Sequence, residues 1–302
     1  MWAILGLISA VFLGIYDLNK KMALKNNAVI PVLFFSTVSG FALMLPILFL
    51  SRFSPEMMQN AGLYVEPITL TQHLMLAAKS LIVASSWVFA YFAIKHLPIS
   101  IVTPIRSMSP LWTLIAAAII YNERPNLMQF IGIIVVIVSF YYFSIVGKLE
   151  GIKFHRDKWV FFVILATLIG TASGIYDKFL IAKAHFSPVT VQAWFSCYLV
   201  VILGLVTLFC WYPSRKKTTP FQWRISIIFI GVFLIIADFV YFKALGIEGA
   251  LLMILSVLRR SSVIISFTAG ALMFKEMNKR KKAVALAGVL AGVFLILFGS
   301  AD

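Results

Sequence analysis

Two adjacent arginines, Arg259 and Arg260, stand in the middle of an apolar run from about Ala250 to Phe274. The string reads Val257-Leu258-Arg259-Arg260-Ser261-Ser262-Val263-Ile264-Ile265, and the run is long enough to span a bilayer. An arginine at mid-membrane depth costs roughly 2.5–3.5 kcal/mol on insertion scales. Such a pair needs a water-filled cavity, acidic partners or an anionic ligand. A guanidinium fork meets a phosphate or carboxylate through two parallel hydrogen bonds, which is stronger and more directional than a lysine point charge. A third arginine, Arg106, occupies an apolar run of its own, at Ile105-Arg106-Ser107. Arg106 lies 17 residues before Glu123, and Arg259 lies 17 residues before Glu276. The chemistry these residues offer is anion capture, with Arg106 and Arg259 approaching one cavity. Arg260 points roughly 100° away from Arg259 on an α-helix and joins them if the cavity is wide.

The competing reading is a structural charge network. Asp17, Asp177 and Asp238 also lie in apolar runs and can neutralise the arginines. Asp238, at Ala237-Asp238-Phe239, is read as the counter-ion of Arg259 or Arg260, with a coupling proton as its other role. Asp17 can pair with Lys20 or Lys21 at i+3 or i+4, and Asp177 sits beside Lys178. Lys79, at Ala78-Lys79-Ser80, either contacts substrate, pairs with a carboxylate or snorkels to the near end of its span. Trp87, Tyr91 and Tyr241 carry donors that can orient a ligand, although packing accounts for them too. Pro104 and Pro110 flank Arg106 and suit a helix that bends.

Other chemistry has little support. His73, His96, His155 and His185 are scattered without metal-ligand spacing, and Cys197 and Cys210 form no framework. The Gly-Lys-Ser/Thr loop that drives nucleotide hydrolysis is missing from the sequence. No nucleophile–base pair is apparent, so an enzyme is not expected; neither a cofactor nor a metal is.

The elements that must carry these residues are membrane spans. The chain is 62% hydrophobic and 12% charged, against about half and a quarter in soluble domains, so an integral membrane protein is expected. A net charge of +15 could suggest nucleic acid, but most of the cations fall in short loops between spans, as in cytoplasmic loops facing anionic lipid. Nucleic-acid binding is therefore not expected. Apolar stretches fall near 2–22, 29–50, 72–94, 98–120, 126–147, 159–183, 188–212, 223–245, 249–273 and 281–300. Each is about 20 residues, the length of a transmembrane helix. The opening Met-Trp-Ala-Ile-Leu lacks a basic region and reads as the first span, not as a cleaved signal. The expected fold is an all-α membrane protein of ten transmembrane helices.

The halves repeat. Gly14-Ile15-Tyr16-Asp17 recurs as Gly174-Ile175-Tyr176-Asp177, 160 residues later, each copy late in the first span of its half. Five spans per half give opposite orientations, hence two inverted five-helix repeats, 1–150 and 151–302. This is a transporter architecture with its site near the midplane. The odd-numbered loops hold most of the cations, among them Lys20, Lys21, Lys25, Lys95, Arg215, Lys216, Lys217 and Lys282. The positive-inside rule then puts those loops in the cytoplasm and both termini outside.

These features resemble the drug/metabolite transporter superfamily, particularly its EamA-type members, over essentially the whole chain. Ala93-Ile94-Lys95-His96-Leu97-Pro98-Ile99-Ser100, followed by Ser109-Pro110 and Glu123-Arg124, is similar to that family's fourth-span pattern. Ser109 stands where the family has glutamate, and Asn122 where it has glycine. Gln129-Phe130-Ile131-Gly132 resembles the Gln-x-x-Gly that opens the fifth span, with Gly288 as its second-half counterpart. The Arg259-Arg260 string resembles the ninth-span Lys-Arg motif of triose-phosphate and nucleotide-sugar translocators, with Arg259 where lysine is usual. There the basic pair holds the substrate phosphate with a fourth-span basic residue, a place Arg106 matches.

The resemblance implies a secondary transporter working by alternating access on a small solute. The arginines favour an anionic, phosphorylated or carboxylated metabolite, exchanged against a counter-anion or coupled to a proton. Two alternatives remain open: an exporter of amino acids or amphipathic compounds, and a flippase of a polyprenyl-phosphate-linked sugar. The expected partners are a small-molecule substrate and the lipid bilayer, and the expected location is a bacterial inner (plasma) membrane.

Overall fold

The computed structural model describes residues 2–109, 111–112, 126–149, 151–152, 154–247, 258–259, 261–273 and 277–299, less a few side chains inside helices (such as Ala3, Ser107 and Lys178). Arg260, Glu123, Glu276 and Pro110 lie outside the described residues.

The described residues form helices and no strand. In chain order they are α1 (Trp2–Leu24), α2 (Val29–Phe53), α3 (Pro55–Asn60), α4 (Leu70–His96), α5 (Ile99–Ser107) and α6 (Leu127–Lys148). They continue as α7 (Lys158–Lys178), α8 (Pro188–Val206), α9 (Ile225–Leu245), α10 (Ser262–Met273) and α11 (Lys279–Phe298). Five stretches are long and apolar enough to cross a membrane: Val29–Phe53, Leu70–His96, Lys158–Ile181, Pro188–Ser214 and Ile225–Ala244. The other five expected spans each include residues or side chains outside the description.

Local signals account for the boundaries. Thr69 and Gln72 close a reciprocal capping box at the start of α4. The side chains of Asp157 and Ser187 accept backbone N–H groups at the starts of α7 and α8, with Pro188 pre-set for its first turn. Asn26, at φ 52°, turns the chain out of α1 in the left-handed region that asparagine tolerates. The segment between the second and third expected spans contains the short helix α3. Pro55 at its start and Glu56 in its first turn suit a helix N-terminus. Both α7 and α8 run on into a π-helical turn, Phe179–Lys183 and Thr207–Trp211.

Two cations expected in loops are fully buried inside helices. Lys20 is 0% exposed because α1 continues to Leu24, and Lys282 is 0% exposed within α11. Neither counts toward a loop-charge argument.

The helices interlock as crossed pairs. α1 packs on α9 and α10, α4 on α7 and α8, α2 on α8 and α9, and α6 on α11. The main core gathers Tyr16, Leu24, Leu33, Tyr91, Ile94, Ile101, Phe195 and Ile230, and so joins α1, α2, α4, α5, α8 and α9. Small residues set the closest approaches, as expected where van der Waals packing holds helices in lipid. A Cβ on Gly231 of α9 would fall on the Ser36 carbonyl oxygen and crowd the Gly40 backbone of α2. A Cβ on Gly292 of α11 would lie 2.8 Å from the Gly132 carbonyl oxygen of α6.

The two copies of the repeated tetrapeptide differ here. A Cβ on Gly14 would meet Ile265 of α10 at 2.7 Å, whereas one on Gly174 meets nothing within 4 Å. Gly231→Ala should therefore lower the melting temperature of the detergent-solubilised protein, by an overpacking penalty of about 1–3 kcal/mol. Gly174→Ala should hold or raise it, since alanine is the better helix former by about 1 kcal/mol. The same sign for both would refute this packing.

Candidate functional site

Three carboxylates inside the bundle each hold a cation. Asp17 on α1 accepts from Lys20 Nζ at 2.7 Å, from Ser266 Oγ of α10 at 3.5 Å, and pairs with Arg106 of α5 at 3.8 Å. Asp177, at the end of α7, pairs with Lys79 of α4. Asp238 on α9 pairs with Arg259.

Aromatic faces complete the shells around these cations. Lys20 Nζ lies 4.0 Å from the Tyr16 ring centroid and 5.2 Å from that of Tyr91. Lys79 Nζ lies 4.5 Å from Phe195 and 5.5 Å from Phe242, and the Arg259 guanidinium 4.2 Å from Tyr241. A cation over a ring face is attracted by the ring quadrupole, more strongly when desolvated.

Lys79 does not snorkel: it is 2% exposed and directed at Asp177 across the α4–α7 crossing. Asp177 also lies within electrostatic reach of Asp238 and Arg259, so these two pairs form one neighbourhood. Asp238 is the counter-ion of Arg259 in this structure. Arg106 and Arg259 each lie within ion-pair distance of a different carboxylate, and the described contacts do not join them to one another. Tyr91 and Tyr241 pack on cations, Tyr91 being 1% exposed. Trp87 lines a narrow central cavity of about 20 Å³ with Asp238, Ser36, Thr37 and Ser196, room for about one water.

The sequence pattern names Lys20 as a partner for Asp17 but also counts it among the loop cations, and it does not single out Tyr16, Ser36, Thr37, Ser196 and Ser266 as parts of this interior. The signal for Ser36 and Thr37 is small polar residues three and four positions before Gly40, on one face of a largely apolar helix.

The two ends of the bundle differ. At one end α1, α4 and α10 leave a cavity of about 470 Å³, lined by Lys21, Lys25 and Lys95 among others. At the other end polar contacts tie the elements together. The Tyr198 hydroxyl lies 2.7 Å from His73 Nδ1, and the Tyr176 hydroxyl donates to the Met75 carbonyl at 3.3 Å. The backbone N–H of Glu66 donates to Thr190 Oγ1 at 3.0 Å, and that of Val65 to Ser51 Oγ at 3.0 Å.

A bundle of crossed apolar helices with paired charges in its interior defines a class: an integral, multi-pass membrane protein. Residues 1–145 and 157–298 each match the EamA-like transporter family, and the chain belongs to that family. A solved crystal structure 13% identical to this chain overlays 97% of it, and 96% of its own length, with a TM-score of 0.63, a likeness of fold. No curated protein matches by sequence. Members of the family are membrane transporters of small solutes, and this chain is one.

Neutralising one partner of the Lys79–Asp177 pair leaves the other charged and buried. Asp177→Asn or Lys79→Met alone should cost about 3–5 kcal/mol, whereas the double change Lys79→Met/Asp177→Asn should recover much of that loss. Thermal unfolding in detergent reads all three. Additive losses, or none, would mean the two residues do not act as a pair.

Proposed function

We propose that this protein is a secondary transporter of a small organic anion, phosphorylated or carboxylated, built as ten spans in two inverted halves, 1–150 and 151–302, and working by alternating access. The observation that carries the anionic substrate is the unequal sharing of Asp17. Lys20 already holds this carboxylate at 2.7 Å, and Arg106 stands off at 3.8 Å with its side chain 25% exposed. Among the described residues the three interior carboxylates pair with four cations, Lys20, Lys79, Arg106 and Arg259, and Arg106 is the one held least closely. An anion at Arg106 gains a bidentate partner. Arg259 is the second anchor, with Tyr241 and Trp87 orienting the rest of the solute; Arg260 joins them in this reading. Exchange against another anion follows, because an unoccupied cationic cavity is costly to close into a dry barrier.

The inverted relation of the halves is supported by two matching crossings. Ser86 of α4 donates to the Ala166 carbonyl of α7 at 2.7 Å, and Ser9 of α1 donates to the Ala237 carbonyl of α9 at 2.8 Å. Each crossing joins the first helix of one half to the third span of the other at a corresponding level. The donor lies on the third span in one crossing and on the first in the other. Alternating access is supported by the cavity that α1, α4 and α10 leave at the basic end. The positive-inside rule makes the basic end cytoplasmic.

A second reading has its own observation. Arg106 and Arg259 each have a carboxylate within ion-pair distance, which suits a neutral or zwitterionic solute and an exporter of amino acids or amphipathic compounds.

Counterflow in proteoliposomes separates the readings, with phosphate, sugar phosphates, carboxylates and neutral amino acids as internal solutes. On the anion reading one anionic class drives exchange. Arg106→Gln and Arg259→Gln then weaken it about ten- to a hundredfold, the equivalent of about 1.5–3 kcal/mol for a hydrogen bond to a charged group. Exchange driven by amino acids alone, with both variants melting well below wild type, would transfer the lead to the second reading.

A further inference from the structure

The loop that leaves α8 carries Arg215, Lys216 and Lys217 in succession, all exposed, directly after the apolar stretch Pro188–Ser214. No ion pair engages them among the described residues. The sequence has no acidic residue between Asp177 and Asp238. Three adjacent cations thus stand where a span meets the membrane surface.

Cations on a loop that only has to stay solvated need no fixed frame, and these have one. After the π-helical turn Thr207–Trp211 the chain tightens into a 3₁₀ turn, Tyr212–Ser214. Ser214 Oγ donates to the Cys210 carbonyl at 2.9 Å, and the Lys217 N–H donates to the Ser214 carbonyl at 2.9 Å. The Arg215 guanidinium lies 3.8 Å from the Tyr212 ring centroid and donates to the Tyr212 carbonyl at 2.9 Å, so its direction is set. Beyond the cations the loop is tied to other helices. Lys95 Nζ donates to Thr219 Oγ1 at 2.7 Å, Asn27 and Gln222 exchange two hydrogen bonds at 2.7 and 2.8 Å, and Arg224 donates to the Met22 carbonyl at 2.8 Å. Groups that are already placed lose less freedom when a ligand arrives.

The surroundings change from charged to apolar in the order that a phospholipid does. Tyr212 and Trp223 stand on either side of the cations in the chain and are 51% and 57% exposed, as aromatic rings are at headgroup depth. Below Tyr212, Val201, Leu205, Leu208 and Phe209 are exposed on the same span. Their spacing puts them on one face, an apolar strip that leads from the cations toward the bilayer interior.

We propose that this end of α8 binds an anionic phospholipid, with Arg215, Lys216 and Lys217 on the headgroup phosphate and the acyl chains along Val201, Leu205 and Phe209. A phosphodiester offers the guanidinium two parallel acceptors, and the lysines add charge beside it. A free phosphorylated solute would meet the cations but leave the strip uncovered, so a lipid is the occupant this surface fits. The site is separate from the central charge cluster and holds whichever solute is carried there.

The test is native mass spectrometry of the full-length protein in neutral detergent at low ionic strength, with phosphatidylglycerol and phosphatidylcholine of the same chains as probes. Phosphatidylglycerol should bind in preference. Arg215→Gln/Lys216→Gln/Lys217→Gln should weaken its binding about tenfold or more, since each basic residue near an anionic headgroup adds to the attraction. Tyr212→Leu keeps the apolar strip but removes the ring that orients Arg215, and should weaken binding about threefold. Lys279→Gln/Arg280→Gln/Lys281→Gln removes as much charge from the exposed start of α11 and should cost about threefold at most. If the first triple variant folds poorly, Lys216→Gln/Lys217→Gln is read in its place and should lose about fivefold. Equal losses from the two clusters would mean that headgroups answer to net charge alone and would overturn the inference. Unchanged binding in the folded variants overturns it too, as does equal binding of the two lipids by the wild type.

Discussion

An ammonium enclosed by apolar helices has no water to solvate it, and the Lys79–Asp177 pair meets that constraint by drawing α4 and α7 together. Lys79 rests between Phe195 of α8 and Phe242 of α9, so one cation touches four helices. A charge held this way fixes depth and rotation as well as distance, because a turn of either helix would carry it away from its partner. Much of the surrounding order depends on that. The Asp238–Arg259 pair lies within its electrostatic reach, and the tie between Tyr176 and Met75 sits on the same two helices one turn away.

Hydrophobic burial cannot organise such a bundle by itself, since lipid is as apolar as the helix faces. Close approach at glycines and hydrogen bonds to serines take over that task. Gly231 against Ser36 and Gly40 brings α9 onto α2, and Ser9 and Ser86 bond carbonyls across the two matching crossings. The same small residues have a second consequence. Where α2, α4, α8 and α9 meet, Ser36, Thr37, Gly40, Ser196 and Gly231 leave the narrow cavity beside Asp238 and Trp87. Larger side chains would have filled it.

Span positions are legible because a continuous apolar run of about 20 residues is rarely anything but a membrane helix; α2, α4, α8 and α9 fall within a few residues of where the sequence puts them. The carboxylates and arginines are legible as a set for the same reason, because charge in an apolar run demands a partner. Which cation meets which carboxylate is legible only within one helix turn, as for Asp17 and Lys20. Lys79 and Asp177 are 98 residues apart, and nothing local in either string identifies the other. Lys20 is misplaced by its sequence because a lysine near the end of an apolar run reads equally well as loop or helix. Its depth depends on α1 continuing to Leu24. Ser36, Thr37 and Ser196 do not stand out because serine and threonine are common in membrane helices, and their value lies in what faces them.

The two copies of the Gly-Ile-Tyr-Asp string differ in what their aspartates meet, and that difference gives the bundle a direction. Asp177 has a cation across its helix crossing, Lys79. Asp17 crosses α9, whose one cation, Lys243, lies in its last turn and reaches the Gly62 carbonyl at the far end of the bundle. Asp17 therefore takes Lys20 from its own helix and shares Arg106 of α5. A pair that spans two helices resists their separation; a carboxylate served from its own helix does not. On the reading proposed above, the α4–α7 side is the fixed part, and the side near Asp17, where Arg106 is held at only 3.8 Å, is where an arriving anion competes with that carboxylate for Arg106. The π-helical turn directly after α7 fits the same division, because it lets the chain beyond Asp177 bend while the ion pair stays in place.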